Sequence, residues 1–141
     1  MKKIKILFGY LSLSLILACQ TTKPMNTTKL SKNMMIRISE IKIDPEYLNE
    51  YLAILKEESS ASVKLEPGVI SIYPMYQVEN PTEIRILEIY ASKEAYQSHL
   101  QTEHFRHYKT TTLKMVKDLK LIDMKAIDSE AMTAIFKKIK N

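Results

Sequence analysis

The stretch HLQTEHFRHY, residues 99–108, holds all three histidines of this 141-residue chain, at positions 99, 104 and 107. An imidazole near neutral pH can take a proton, give one or bind a metal. His104 and His107 stand at helix-neighbour spacing, but no third ligand is evident beside them. Glu103 is adjacent in sequence and points to a different side of a helix. The reading is therefore no metal and an acid–base site. A general base must come within hydrogen-bond reach of its substrate. His99 and His104 are the candidate catalytic pair: they flank a helix break, and a turn at Leu100–Thr102 can aim both inward. The bland alternative for each is a ring that hydrogen-bonds a neighbouring element and pins the turn. His107, between Arg106 and Tyr108, belongs to the solvated face.

The elements that must position these residues are legible in the pattern. From Met34, MMIRISEIKI alternates, with Ile36, Ile38 and Glu40 on one side and Arg37, Ser39, Ile41 and Ile43 on the other, a strand signature. Asp44 then caps a helix, with Pro45 in its first position and Glu46 suited to the positive helix end. Leu48, Tyr51, Leu52, Leu55 and Ser59 recur at helical spacing as far as Val63. The helix stops before EPG, where Pro67 restricts Glu66 and Gly68 permits a turn. VISIYPMYQV is a second strand, with an irregularity expected at Pro74. IRILEIY is a third, with Ile84, Ile86, Glu88 and Tyr90 on one face and Arg85, Leu87 and Ile89 on the other.

Both faces of that third strand are apolar, which suggests that a second subunit covers one of them. Ser92 caps a short helix carrying Tyr96, His99 and Leu100, and Thr102 caps a longer one over 103–117. DLKLIDMKAI is a fourth strand, and an amphipathic helix with Met132, Ile135, Phe136 and Ile139 on one face follows Asp128. The order is β-α-β-β-α-β, a ferredoxin-like α+β pattern. Glu88 and Tyr90, near the end of one strand face, are candidate substrate-binding residues beside the histidines. Tyr73 is a weaker one, and Arg37 suits an anionic substrate. Their structural alternatives are an ion pair of Glu88 with Arg37 or Arg85, core packing for Tyr90, and a surface position for Arg37.

Composition sets bounds. Apolar residues at 45% and charged residues at 26% fit one globular domain. Gly9 and Gly68 are the only two glycines, so neither a dinucleotide-binding nor a P-loop fingerprint can be written. The net charge of +5 includes Lys2, Lys3 and Lys5, which head an apolar run from Ile6 to Ala18. That run ends in LILAC and resembles a bacterial lipobox. Residues 1–18 read as a lipoprotein signal peptide and Cys19 as the lipidated residue; residues 19–33 form a polar tether. Cys19 is the only cysteine, which excludes an internal disulfide. Much of the basic excess is thus a targeting signal, and nucleic acid is not an expected partner. The domain proper spans 34–127, and 128–141 holds the C-terminal helix.

Over 34–127, EPGV, EIYAS..AY and H..T.HF, in that order and spacing, resemble the antibiotic biosynthesis monooxygenase domain, most closely its quinol monooxygenase branch. The resemblance implies a dimeric α+β barrel, a homodimer with sheets packed face to face. It also implies a cavity in each subunit that takes a quinol or similar electron-rich aromatic substrate and O₂, without metal or flavin. With Cys19, the expectation is a cofactor-independent monooxygenase, lipid-anchored at a bacterial cell envelope. The alternative is an envelope lipoprotein that binds haem or another small ligand without oxygenase activity. Haem-degrading relatives use a tryptophan to distort the ring, and this chain has none.

Overall fold

The computed structural model describes residues 33–139. The expected signal peptide, Cys19 and nearly all of the expected tether lie outside the described residues. The elements in chain order are β1 (Met35–Ile43), α1 (Leu48–Leu65), β2 (Val69–Tyr76), β3 (Glu83–Tyr90), α2 (Lys93–His99), α3 (Glu103–Thr112), β4 (Val116–Met124) and α4 (Ala131–Lys138). All strand pairs are antiparallel, in the order β2-β3-β1-β4. This corrects the expectation of a ferredoxin-like dimeric α+β barrel. The sheet is open: β2 and β4 are its two edges and do not pair with each other. Within this chain the four strands form a sheet and not a closed barrel.

Local chemistry explains the elements. Asp44 accepts from the Glu46 amide and starts a single 3-10 turn at Pro45 before α1 begins. The inward stripe of α1 is Tyr51, Leu55, Glu58, Ser59 and Ser62, and it changes character along its length. Its first half packs with Ile41, Ile43, Ile72, Ile84 and Ile86 into the core. Burying each such side chain contributes roughly 1.5–3 kcal/mol. Its second half brings carboxylates and hydroxyls over the end of the sheet where β3 presents Glu88 and Tyr90. Pro74 sits inside β2 without disrupting it, because β2 is an edge strand with one partner. The irregularity lies instead between Val69 and Ser71.

The helix break between α2 and α3 is held by one side chain. The Thr102 hydroxyl donates to the His99 carbonyl at 2.8 Å and accepts from the Phe105 amide at 3.4 Å. The helices leave β4 uncovered: Leu119 and Leu121, on its helix-side face, are about half exposed. On the other face Tyr73, Ile122 and Met124 are exposed. Ile127, Ile135 and Ile139 at the C-terminal end are also exposed. Among the described residues, no helix is long and apolar enough to cross a membrane.

Candidate functional site

A cavity of about 250 Å³ opens between the sheet and the helices. Its apolar walls include Ile72, Ile86, Leu55, Phe105 and, towards β4, Leu119 and Leu121. Its polar groups are Arg37, Ser39, Glu58, Glu88, His99 and Lys109, with Tyr90, Tyr96 and Tyr108 between them.

His99 is 2% exposed and is the buried imidazole of the site. Its ring packs between Phe105, with centroids 4.7 Å apart, and Tyr90 at 5.5 Å. Nδ1 lies 2.9 Å from Glu66 Oε1. Nε2 is turned towards Glu58, 3.7 Å from its Oε1, which is beyond hydrogen-bond length. Among the described residues no buried side-chain nitrogen or oxygen lacks a partner. Nε2 makes no hydrogen bond, so it must be reachable from the cavity that His99 lines.

Glu66 also meets His104, whose Nε2 is 2.6 Å from the same Oε1. His104 does not line this cavity. It lines a separate groove of about 260 Å³ walled by α1 and α3 residues, together with Glu57, Glu103 and His107. His107 is exposed, as its place in the sequence implied. Burial pushes the Glu66 carboxyl up, but the hydrogen bonds from His99 and His104 outweigh it and hold the group below its ordinary value. Glu66 is therefore ionised at neutral pH and has no proton to donate, so both rings donate to it. Glu66 Oε1, His99 Nδ1 and His104 Nε2 lie within 4.8 Å of one another, a set whose atom types suit a divalent ion. The pair weighed from sequence was His104 with His107; the set that meets here is His99 and His104 with Glu66, which lies 33 residues from His99. The two N···O separations are those of hydrogen bonds.

Glu88 accepts from the Ser39 hydroxyl across the β1–β3 pair and from Tyr90 Oη at 2.9 Å. It pairs with neither Arg37 nor Arg85. Arg37 forms an ion pair with Asp123 at 2.7 Å and stacks over the Tyr96 ring at 4.9 Å. Tyr90 is fully buried, and burial together with the adjacent Glu88 pushes its phenol far up, so it stays protonated. Tyr51 and Tyr108 join hydroxyls at 2.7 Å above the cavity, and burial pushes Tyr108 up to about 12. Of the residues singled out from sequence, His99, Glu88, Tyr90 and Arg37 meet around the cavity. Tyr73 does not: it is 61% exposed, on the far face of the sheet. Glu58, Glu66 and Ser39 complete the site and were not anticipated.

Glu58 is almost fully buried, and burial raises its carboxyl against the opposing effects of the Ser62 hydroxyl and the two histidines. A carboxyl raised on folding binds its proton more tightly in the native state. Native stability is then greatest below the unfolded value of 4.5 and declines as pH rises towards the raised value. Glu58→Gln keeps an acceptor for Ser62 and removes that decline. Urea unfolding at a series of pH values from 4.5 upward should show the variant gaining on the wild type by on the order of 1 kcal/mol. Parallel pH profiles for the two proteins contradict it.

An open α+β sheet whose helices close a cavity around one buried histidine is the frame of a small-molecule enzyme or binding protein. Residues 34–111 match the family model described as antibiotic biosynthesis monooxygenase, and the chain belongs to that family. A solved structure from Bacteroides thetaiotaomicron, assigned as an antibiotic biosynthesis monooxygenase, is 51% identical. The match covers 68% of this chain and 91% of that one, with a TM-score of 0.67. A monooxygenase assigned in Lactobacillus acidophilus is 28% identical over 70% of this chain and 47% of its own, with a TM-score of 0.65. A Pseudomonas aeruginosa protein at 16% identity, covering 70% of this chain and 98% of its own with a TM-score of 0.64, shares the fold. No curated protein matches.

Proposed function

We propose that this protein is a cofactor-independent monooxygenase of a quinol or similar electron-rich aromatic, lipid-anchored through Cys19 at a bacterial envelope and acting as a homodimer. The observation that carries this reading is His99: a buried imidazole whose free Nε2 opens on an apolar, aromatic-lined cavity. The base takes a hydroxyl proton from the quinol. The resulting anion is electron-rich enough to reduce O₂ directly. One oxygen atom enters the ring, the other leaves as water with the two hydrogens that the ring gives up, and the quinol becomes a hydroxyquinone. All four electrons come from the substrate. Glu88, held by Ser39 and Tyr90, and Arg37 orient the substrate's oxygens. A cavity of about 250 Å³ suits one or two fused rings and is small for a haem macrocycle, since ligand sites commonly run from about 300 to 1,000 Å³.

The test is oxygen uptake by metal-free, flavin-free protein given a naphthoquinol, with ¹⁸O₂ to count the atoms that enter product. One labelled atom per product, at a rate well above spontaneous oxidation, is expected. Uptake no faster than the protein-free control overturns the activity. The full-length protein should sediment with membranes, and Cys19→Ser should leave them while keeping its rate. Unchanged sedimentation of the variant removes the anchor from the proposal. Sedimentation equilibrium of that detached form should give twice the chain mass; a monomer at micromolar concentration removes the homodimer.

A further inference from the structure

His99 and His104 look interchangeable in sequence, but the structure separates them. Of the two, His99 lines the cavity and His104 lines the outer groove. One oxygen of Glu66 receives both rings, at 2.9 Å from His99 and 2.6 Å from His104. The His99 side chain is 3% exposed and that of Glu66 12%, so water competes poorly for this bond. An ionised carboxylate on Nδ1 forces the proton onto that nitrogen and leaves the lone pair on Nε2. A base needs that arrangement. With the opposite tautomer, Nε2 would carry a hydrogen and point a donor at the substrate hydroxyl.

We propose that Glu66 is the positioning residue of the catalytic base. It fixes His99 in the Nδ1–H form with Nε2 bare towards the cavity, while His104 clamps Glu66 from behind and is not itself the base. The catalytic half of this assignment rests on the activity proposed above; the tautomer half does not. Glu66 stands at the C-terminal end of α1, His99 at the end of α2 and His104 in the first turn of α3, so three helix ends meet at one oxygen. Neither ring is fixed by a second strong hydrogen bond. Phe105 and Tyr90 confine the His99 ring, and the Glu66 hydrogen bond sets which nitrogen faces the carboxylate.

The decisive measurement is nitrogen-15 NMR of the imidazoles in the full-length protein at neutral pH, which needs no variant. His99 should show a protonated Nδ1 and a bare Nε2. An Nε2–H tautomer overturns the assignment. Glu66→Gln replaces the acceptor-only carboxylate with a group that can also donate. The variant should mix the His99 tautomers and lower kcat by about 100-fold or more, with KM within about twofold. His104→Ala should lower kcat by about 10-fold at most and keep the His99 tautomer largely intact. Equal losses in His104→Ala and His99→Ala overturn the division of roles. So does an equimolar metal in the purified protein, which would make the three side chains ligands. If no quinol is turned over by wild-type protein, the monooxygenase reading falls while the tautomer still decides the role of Glu66.

Discussion

His99→Ala lowers kcat/KM for a naphthoquinol by about 10²- to 10⁴-fold, the contribution general-base catalysis usually makes. His99 Nε2 is the one unpaired imidazole nitrogen that opens on the cavity, and the neighbouring acids cannot replace it. Glu58 is almost fully buried, and its Oε1 already accepts from the Ser62 hydroxyl. Glu88 is an acceptor already occupied by Ser39 and Tyr90. The Tyr90 and Tyr108 phenols are pushed up and stay protonated. Truncation to alanine also leaves a void between Phe105 and Tyr90, so His99→Gln serves as the volume-matched control. Both variants should keep the wild-type circular dichroism and lose activity together. A rate within about fivefold of wild type in the folded glutamine variant removes His99 from the base role.

The sequence made the histidine junction readable because its determinants are local. Thr102 caps α3 through the amide of Phe105, three residues on, and that cap sets where both His99 and His104 lie. Glu66 was not readable as their partner. Its carboxyl reaches them only after the whole β2–β3 hairpin has folded between the end of α1 and the start of α2. An ion pair of Glu88 with Arg37 was the structural alternative, and the β1–β3 register does set the two opposite each other. Strand order gives β1 a second neighbour, however, and the β1–β4 register sets Asp123 on the other side of Arg37, where the ion pair forms. Tyr73 fails for another reason. Unbroken alternation from buried Val69 would carry Ser71 and Tyr73 inward, but the register shifts between Val69 and Ser71. That bulge turns Ile72 to the core and Tyr73 to the far face, as a one-residue slip must. The barrel was implied by the family resemblance, while the apolar residues on both faces of β3 suggested only a covering subunit. Apolar faces report that a surface is suited to cover, and they carry no information on strand closure.

Gly68→Ala destabilises the fold by about 1–3 kcal/mol, the usual cost of overpacking, and slows catalysis as well. The sequence suggested that this glycine permits a turn, but no glycine among the described residues has positive φ. What matters is contact. A Cβ at position 68 would sit 2.6 Å from Ala95 Cβ and 3.5 Å from its Cα. Ordinary carbon–carbon contact needs about 3.5–4.0 Å. Ala95 has no rotamer to yield, and the Gly68 carbonyl is tied to the Ala91 amide at 2.9 Å, so the hairpin end cannot simply back away. The strain therefore falls on α2. His99 lies one turn beyond Ala95 on the same helix face, and its hydrogen bond to Glu66 has little length to spare. Ala95→Gly alone should cost about 1 kcal/mol, the ordinary price of a helical glycine. If the clash is the cause, Gly68→Ala with Ala95→Gly is more stable than the sum of the two single changes by most of the Gly68→Ala penalty, and the rate recovers with it. Strict additivity of the two losses in urea unfolding would show that Gly68 acts through its backbone and not through the space it leaves for α2.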